Sequence, residues 1–229
     1  MTTPPAPPAP TPTPPVATEP RVISLPNGIQ IDRNRRRVEV PAHVAQTSGF
    51  LEQIACGVDS REHESLLVID LKASEVHAAL LLAGGVPGQP GRWTQAGEGF
   101  TVIAPKGPAV RVRVRTIDPQ AEETPSGPVV VERAISEWVR GADGRSFDGR
   151  WVFAGSRFAA NPASWKKPGE HYVADFTGSI VGLVTFGDET IAAATVLPDL
   201  IEVEAANWEA WTLRMPPSGS KATLVLELE

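Results

Sequence analysis

The chain has 229 residues, 21 Lys+Arg against 27 Asp+Glu, and a formal net charge of -6. Its single Cys rules out an internal disulfide, a CxxC redox pair and a Cys-rich zinc site. No apolar run reaches the ~18 residues that span a bilayer, so no transmembrane segment is expected, and the mild acidity argues against nucleic acid as a partner.

Nine of the 23 Pro lie in residues 1–20, MTTPPAPPAPTPTPPVATEP. Pro removes amide donors and fixes φ, and so few apolar side chains cannot offset ordering entropy. Residues 1–20 are therefore expected to be a disordered Pro-rich linker, with a reach of up to about 60 Å at roughly 3 Å per residue. Such a segment serves as a spacer from an anchor, serves as a ligand for an SH3-like partner, or has no role. Residues 21–229 hold no second linker and no repeat, and are expected to form a single domain. The start of the chain lacks the basic and apolar regions of a secretory signal. A Pro-rich spacer of the kind that follows a removed signal or lipid anchor favours an extracytoplasmic site, periplasmic or cell surface. A cytoplasmic site is the alternative.

In chain order, Arg21–Leu25 and Ile29–Asp32 flank Asn27-Gly28, a two-residue hairpin signal. Arg36-Val38-Val40 starts a third strand, which Pro41 is expected to end or bulge. Leu51–Ala55 and Ser65–Ile69 read as strands. Ser74 to Ala83 reads as a helix, with Ser74 as N-cap and Gly84-Gly85 as stop. Val110 to Arg115 alternates Val with Arg, so it is a half-buried strand. Val129–Val131 reads as strand and Ala134–Arg140 as a short helix. Trp151–Phe153, Tyr172–Asp175, Ile180–Phe186, Ile191–Val196, Trp211–Met215 and Ala222–Leu228 read as strands. The fold class expected is α+β: β-rich mixed or antiparallel sheets with one or two short helices, in a sandwich-like body. Residues 21–115 carry net charge +3 and residues 116–229 carry -8. The halves are expected to complement one another or to be solvated, with an acidic partner for the Arg-rich face as the rival.

Three groups of residues bear on chemistry. Cys56 ends one strand, His63-Glu64 precedes the next, and His77 sits in the first turn of the helix. A thiolate with two imidazoles suits zinc or copper, while a thiol and imidazole oriented by Glu64 suit nucleophilic catalysis. The plain alternative is a buried Cys56 with His side chains bonded to backbone. Asp175, Asp188 and Glu189 offer paired carboxylates for glycoside hydrolysis or calcium, or simply cap turns beside Gly. Among six Trp, Trp165 beside Lys166-Lys167 is expected to be exposed, and with Trp93 it is a candidate platform for sugars.

Several short motifs resemble the YdjY-type bacterial domain. These are Leu51-Glu52-x-x-Ala55-Cys56, His63-Glu64-Ser65-Leu66-Leu67 and Val76-His77-Ala78-Ala79-Leu80-Leu81-Leu82, with Gly88 in a Pro/Gly loop. Trp151-x-Phe153-x-Gly155-Ser156 and Tyr172-x-Ala174-Asp175-x-x-Gly178 continue the resemblance, which covers roughly residues 21–200. It implies a domain found behind export signals or lipid anchors in envelope-rich bacteria, and it transfers no activity. Some relatives are labelled ferredoxin-like, but one Cys cannot hold a four-Cys iron–sulfur cluster. The expected function is a non-catalytic, envelope-associated binding or structural module without cofactor, contacting a protein or cell-envelope component. The alternative is a metal- or thiol-dependent protein built on Cys56, His63 and His77.

Overall fold

The computed structural model describes residues 22–97, 99–197 and 208–229. The Pro-rich linker expected at 1–20 lies outside the described residues. Strands β1 (Val22–Ser24) and β2 (Gln30–Asp32) form a hairpin, and β3 (Arg37–Val44) follows. The hairpin loop is one residue longer than Asn-Gly alone implies. Gly28 N donates to Leu25 O and Leu25 N to Ile29 O, so Pro26-Asn27 form the turn and Gly28 follows at φ 88. This is the three-residue loop whose left-handed position favours glycine.

Pro41 does not end β3. The strand runs on, with Pro41 opposite Thr223 of β17 (Lys221–Leu228). On its other edge β3 pairs with β2 as far as Glu39, and with β5 (Ser65–Ile69) from His43. Pro41 sits in the gap between these partners, where a missing N–H leaves no ladder bond unmade.

Strand β4 (Gln53–Gly57) runs parallel to β5, and helix α1 (Ala73–Leu82) follows. The helix starts one residue before Ser74. Lys72 is the N-cap, and its N–H donates to Glu75 Oε2 at 2.9 Å. Ser74 lies within the first turn, and its N and Oγ both donate to Asp175 at 2.7 Å. A carboxylate from a distant segment thus satisfies an amide that the helix leaves free.

Strands β6 (Arg92–Ala96) and β7 (Gly99–Ile103) form a hairpin that hydropathy alone does not signal. Then come β8 (Ala109–Ile117), β9 (Val130–Ala134), a 3-10 turn at Ile135–Trp138, and β10 (Val139–Gly141). The chain continues through β11 (Trp151–Phe153), β12 (Phe158–Ala160), β13 (Glu170–Tyr172) and α2 (Val173–Thr177). Strands β14 (Ser179–Gly182), β15 (Ile191–Ala193) and β16 (Trp208–Ala210) precede β17. Two expected strands are corrected here. Tyr172–Asp175 turns helical at Val173, and Gly178 closes that helix in the left-handed region at φ 74. Trp211–Met215 contains a 3-10 turn at Thr212–Arg214 instead of a strand.

Eight strands close on themselves in the order β3-β17-β8-β11-β15-β14-β4-β5 and back to β3. The β14–β15 and β4–β5 pairs are parallel and the other six are antiparallel, so the sheet is mixed as expected. Closure replaces the expected sandwich: one sheet curls around the core and leaves its barrel strands without a free edge. Strands β4, β14 and β15 are buried along their whole length and are therefore covered on both faces. Strand β8 alternates as the sequence implies, with Val110, Val112 and Val114 buried. On its outer face Arg113 and Arg115 reach Glu132, and Arg37 bridges Glu132, Glu39 and Glu227. Arginines of the first half thus meet carboxylates of the second, the complementarity expected from the charge split.

Candidate functional site

Cys56 lies within β4, fully buried, opposite Ser179 of β14. Burial pushes its thiol up, against the nearby Ser65 and Ser60 hydroxyls. A thiol held protonated is a poor nucleophile and a poor ligand. His63 stands on a 3-10 turn, its side chain 78% exposed, with Nε2 3.8 Å from Glu64 Oε2. His77 is committed elsewhere, as described below. Among the described residues no group of three or more His, Cys, Asp or Glu side chains is placed to hold a metal ion. Cys56, His63, Glu64 and His77 therefore do not gather into one ligand set.

What the fold does gather is His77 with Tyr172. His77 Nδ1 lies 2.8 Å from the Tyr172 hydroxyl, which is also 3.1 Å from Gly155 O and 3.1 Å from Thr190 Oγ1. The network balances when His77 Nδ1–H donates to the phenol oxygen and the phenol donates to Gly155 O. The Thr190 hydroxyl then donates to the phenol, an assignment made from partner chemistry. Burial pushes His77 down, against the pull of the nearby Gly155 carbonyl. Burial pushes the Tyr172 phenol up to about 12. A neutral imidazole on a phenol that stays protonated is a clasp between α1 and β13.

The other motif residues meet at the same corner. Gly57 N donates to Gly178 O at 2.9 Å, and a Cβ on Gly178 would lie 2.2 Å from Ser60 Oγ. Asp175 holds α1 through Ser74, so its carboxylate is already spent on backbone and hydroxyl. Asp188 is buried and its Oδ1 has no protein partner. Glu189, not Asp188, caps the turn: Glu189 Oε1 accepts from Phe186 N, and from Gly187 N at 3.1 Å. Burial pushes the Glu189 carboxyl up to about 7, with Asp188 adding to the rise.

The β12–β13 ribbon carries aromatic rings on both faces. Phe158 stands opposite Tyr172, so those side chains share a face; His171, opposite Ala159, points the other way. On that second face Trp165 and His171 have centroids 4.9 Å apart, and Phe176 of α2 lies 5.6 Å from Trp165. Trp165 is 42% exposed and Phe176 65%. Trp93 belongs to β6 and meets Phe100 of β7 at 6.4 Å. Trp138 and Trp151 are core residues, Trp208 packs on Phe147, and Arg214 stacks on Trp211. In the sequence Trp165 is marked by its Lys-Lys-Pro context. His171 and Phe176 carry no such mark, because a three-residue strand and a five-residue helix are too short to show a face by periodicity.

A family model described as the YdjY domain matches residues 29–227. No curated protein and no solved structure matches the chain.

Proposed function

This chain belongs to the YdjY domain family, and from that premise we propose a non-catalytic, envelope-associated binding module. The Pro-rich residues 1–20 tether it, its compartment is the periplasm or the cell surface, and it works without a cofactor. Its partner is a protein or another cell-envelope component. The observation that carries this reading is the cluster of Trp165, His171 and Phe176, whose rings touch one another while Trp165 and Phe176 stay exposed. Rings ordered by mutual contact lose little side-chain freedom when a partner covers them. Covering the exposed parts of Trp165 and Phe176 is worth about 1–2 kcal/mol each by apolar area.

The test is co-sedimentation of the purified full chain with the envelope fraction of its source cells. Trp165→Ala with Phe176→Ala should lower retention at least ~10-fold at unchanged melting temperature. Equal retention of the double variant overturns the reading. A fusion of the native gene product to a reporter active only outside the cytoplasm tests the compartment, and a silent fusion overturns that part.

A further inference from the structure

A second surface lies at the root of the same ribbon. It is a cleft of about 540 Å³ lined by Gln89, Arg92, Ile103, Ser156, Arg157 and Phe186. That volume falls within the range of small-ligand sites. Two features mark it.

The first is its charge. Arg37, Arg113 and Arg115 hold carboxylates on the barrel, Arg140 and Arg150 each hold one elsewhere, and Arg133 holds two. Among the described residues Arg92 and Arg157 hold none. Arg157 Nε donates to Gly187 O at 3.3 Å, and among the described residues its two terminal nitrogens have no carboxylate partner. Two guanidinium groups lining one cleft favour an anion there. Asp188 and Glu189 follow the Phe186-Gly187 turn and do not line the cleft.

The second is Ser156. It is only 9% exposed, it lines the cleft, and its Oγ is buried without a protein partner. The hydroxyl lies beside the Tyr172 phenol without hydrogen-bond geometry. Ser156 also sits at φ 53, and of the four non-Gly residues with positive φ among the described residues it is the buried one. A buried donor left unmade and a left-handed backbone both cost stability, and such costs concentrate where a ligand is held.

We infer that this cleft binds an oxyanion, the carboxylate or phosphate group of a small ligand. Arg92 and Arg157 supply the charge, and the Ser156 hydroxyl donates a hydrogen bond. No covalent step is involved.

The test is a titration of the ¹⁵N-labelled full chain with inorganic phosphate, and separately with succinate, each against sodium chloride at matched ionic strength. The amides of Ser156, Arg157 and Gly187 should shift saturably with at least one of the two anions. Saturation by succinate alone marks a carboxylate site, and by phosphate alone a phosphate site. Arg92→Gln and Arg157→Gln should each weaken binding at least ~10-fold. Ser156→Gly should weaken binding and raise the melting temperature together, since glycine takes φ 53 without strain. Shifts that only track ionic strength, or both arginine variants binding like the parent, overturn the inference. So does Ser156→Gly with unchanged affinity. The Trp165→Ala, Phe176→Ala double variant should titrate like the parent, so this inference and the aromatic-face reading fail separately.

Discussion

Glu132 and Glu189 are two carboxyls driven in opposite directions by their surroundings. Hydrogen bonds from Arg37, with Arg113 and Arg115 adding to them, hold Glu132 down at about 2, below its ordinary 4.5. Its stabilising contribution is therefore present above pH 4.5 and is lost as pH falls towards 2. Glu189 is the reverse, raised to about 7 by burial. What it contributes is complete below pH 4.5 and is lost as pH rises through 7. Urea unfolding should show the parent losing stability between pH 5 and pH 8, and Glu189→Gln should flatten that decline. A parallel decline in the variant would place the ionisation elsewhere. Tyr172→Phe should cost about 1–3 kcal/mol in the same assay, because His77 Nδ1, Gly155 O and Thr190 Oγ1 all lose one shared hydroxyl. A loss below about 0.5 kcal/mol would mean that solvent replaces the phenol. At this scale the sequence names the right types but not their jobs. His77 and Asp175 stand out as reactive letters, yet each turns out to fasten one segment to another. Ser156 is unremarkable as a letter, and only its backbone angle and burial single it out.

Single elements were legible where a period had room to repeat. The Val/Arg alternation of β8 places its buried face correctly because the strand spans nine residues. The α1 helix is found from its apolar run and glycine stop, but its cap is Lys72 instead of Ser74, whose amide bonds Asp175 from 101 residues away. The three-residue strands β12, β13 and β15 carry no such pattern. Tyr and Val favour a strand at Tyr172–Asp175, whereas Gly178 and the Asp175–Ser74 bond commit the segment to a helical turn. Gathering Cys56, His63 and His77 requires the loop before His63 to fold back towards Cys56. Instead Glu62–Glu64 forms a 3-10 turn that leaves His63 facing solvent.

Closure of the barrel is a property of the whole molecule, set by pairings between residues far apart in sequence, so no local pattern announces it. Its seams are unequal. The β17 strand pairs through seven residues with each of β3 and β8, whereas β3 meets β5 through two. Hydrogen exchange should therefore find the Leu224–Leu226 amides among the slowest and the His43–Val44 seam faster by at least an order of magnitude. Uniform protection around the ring would contradict this ranking.

The strand at the centre of that strongest stretch is also the last of the barrel strands to emerge during synthesis. Until Lys221–Leu228 arrive, β3 and β8 each present an unfilled ladder to whatever else lies nearby. A nascent chain stalled before this point is an open curl with two adhesive rims, apt to recruit a neighbour's terminal strand in place of its own. The order of threading thus makes the arrival of β17 the step on which closure of the ring waits.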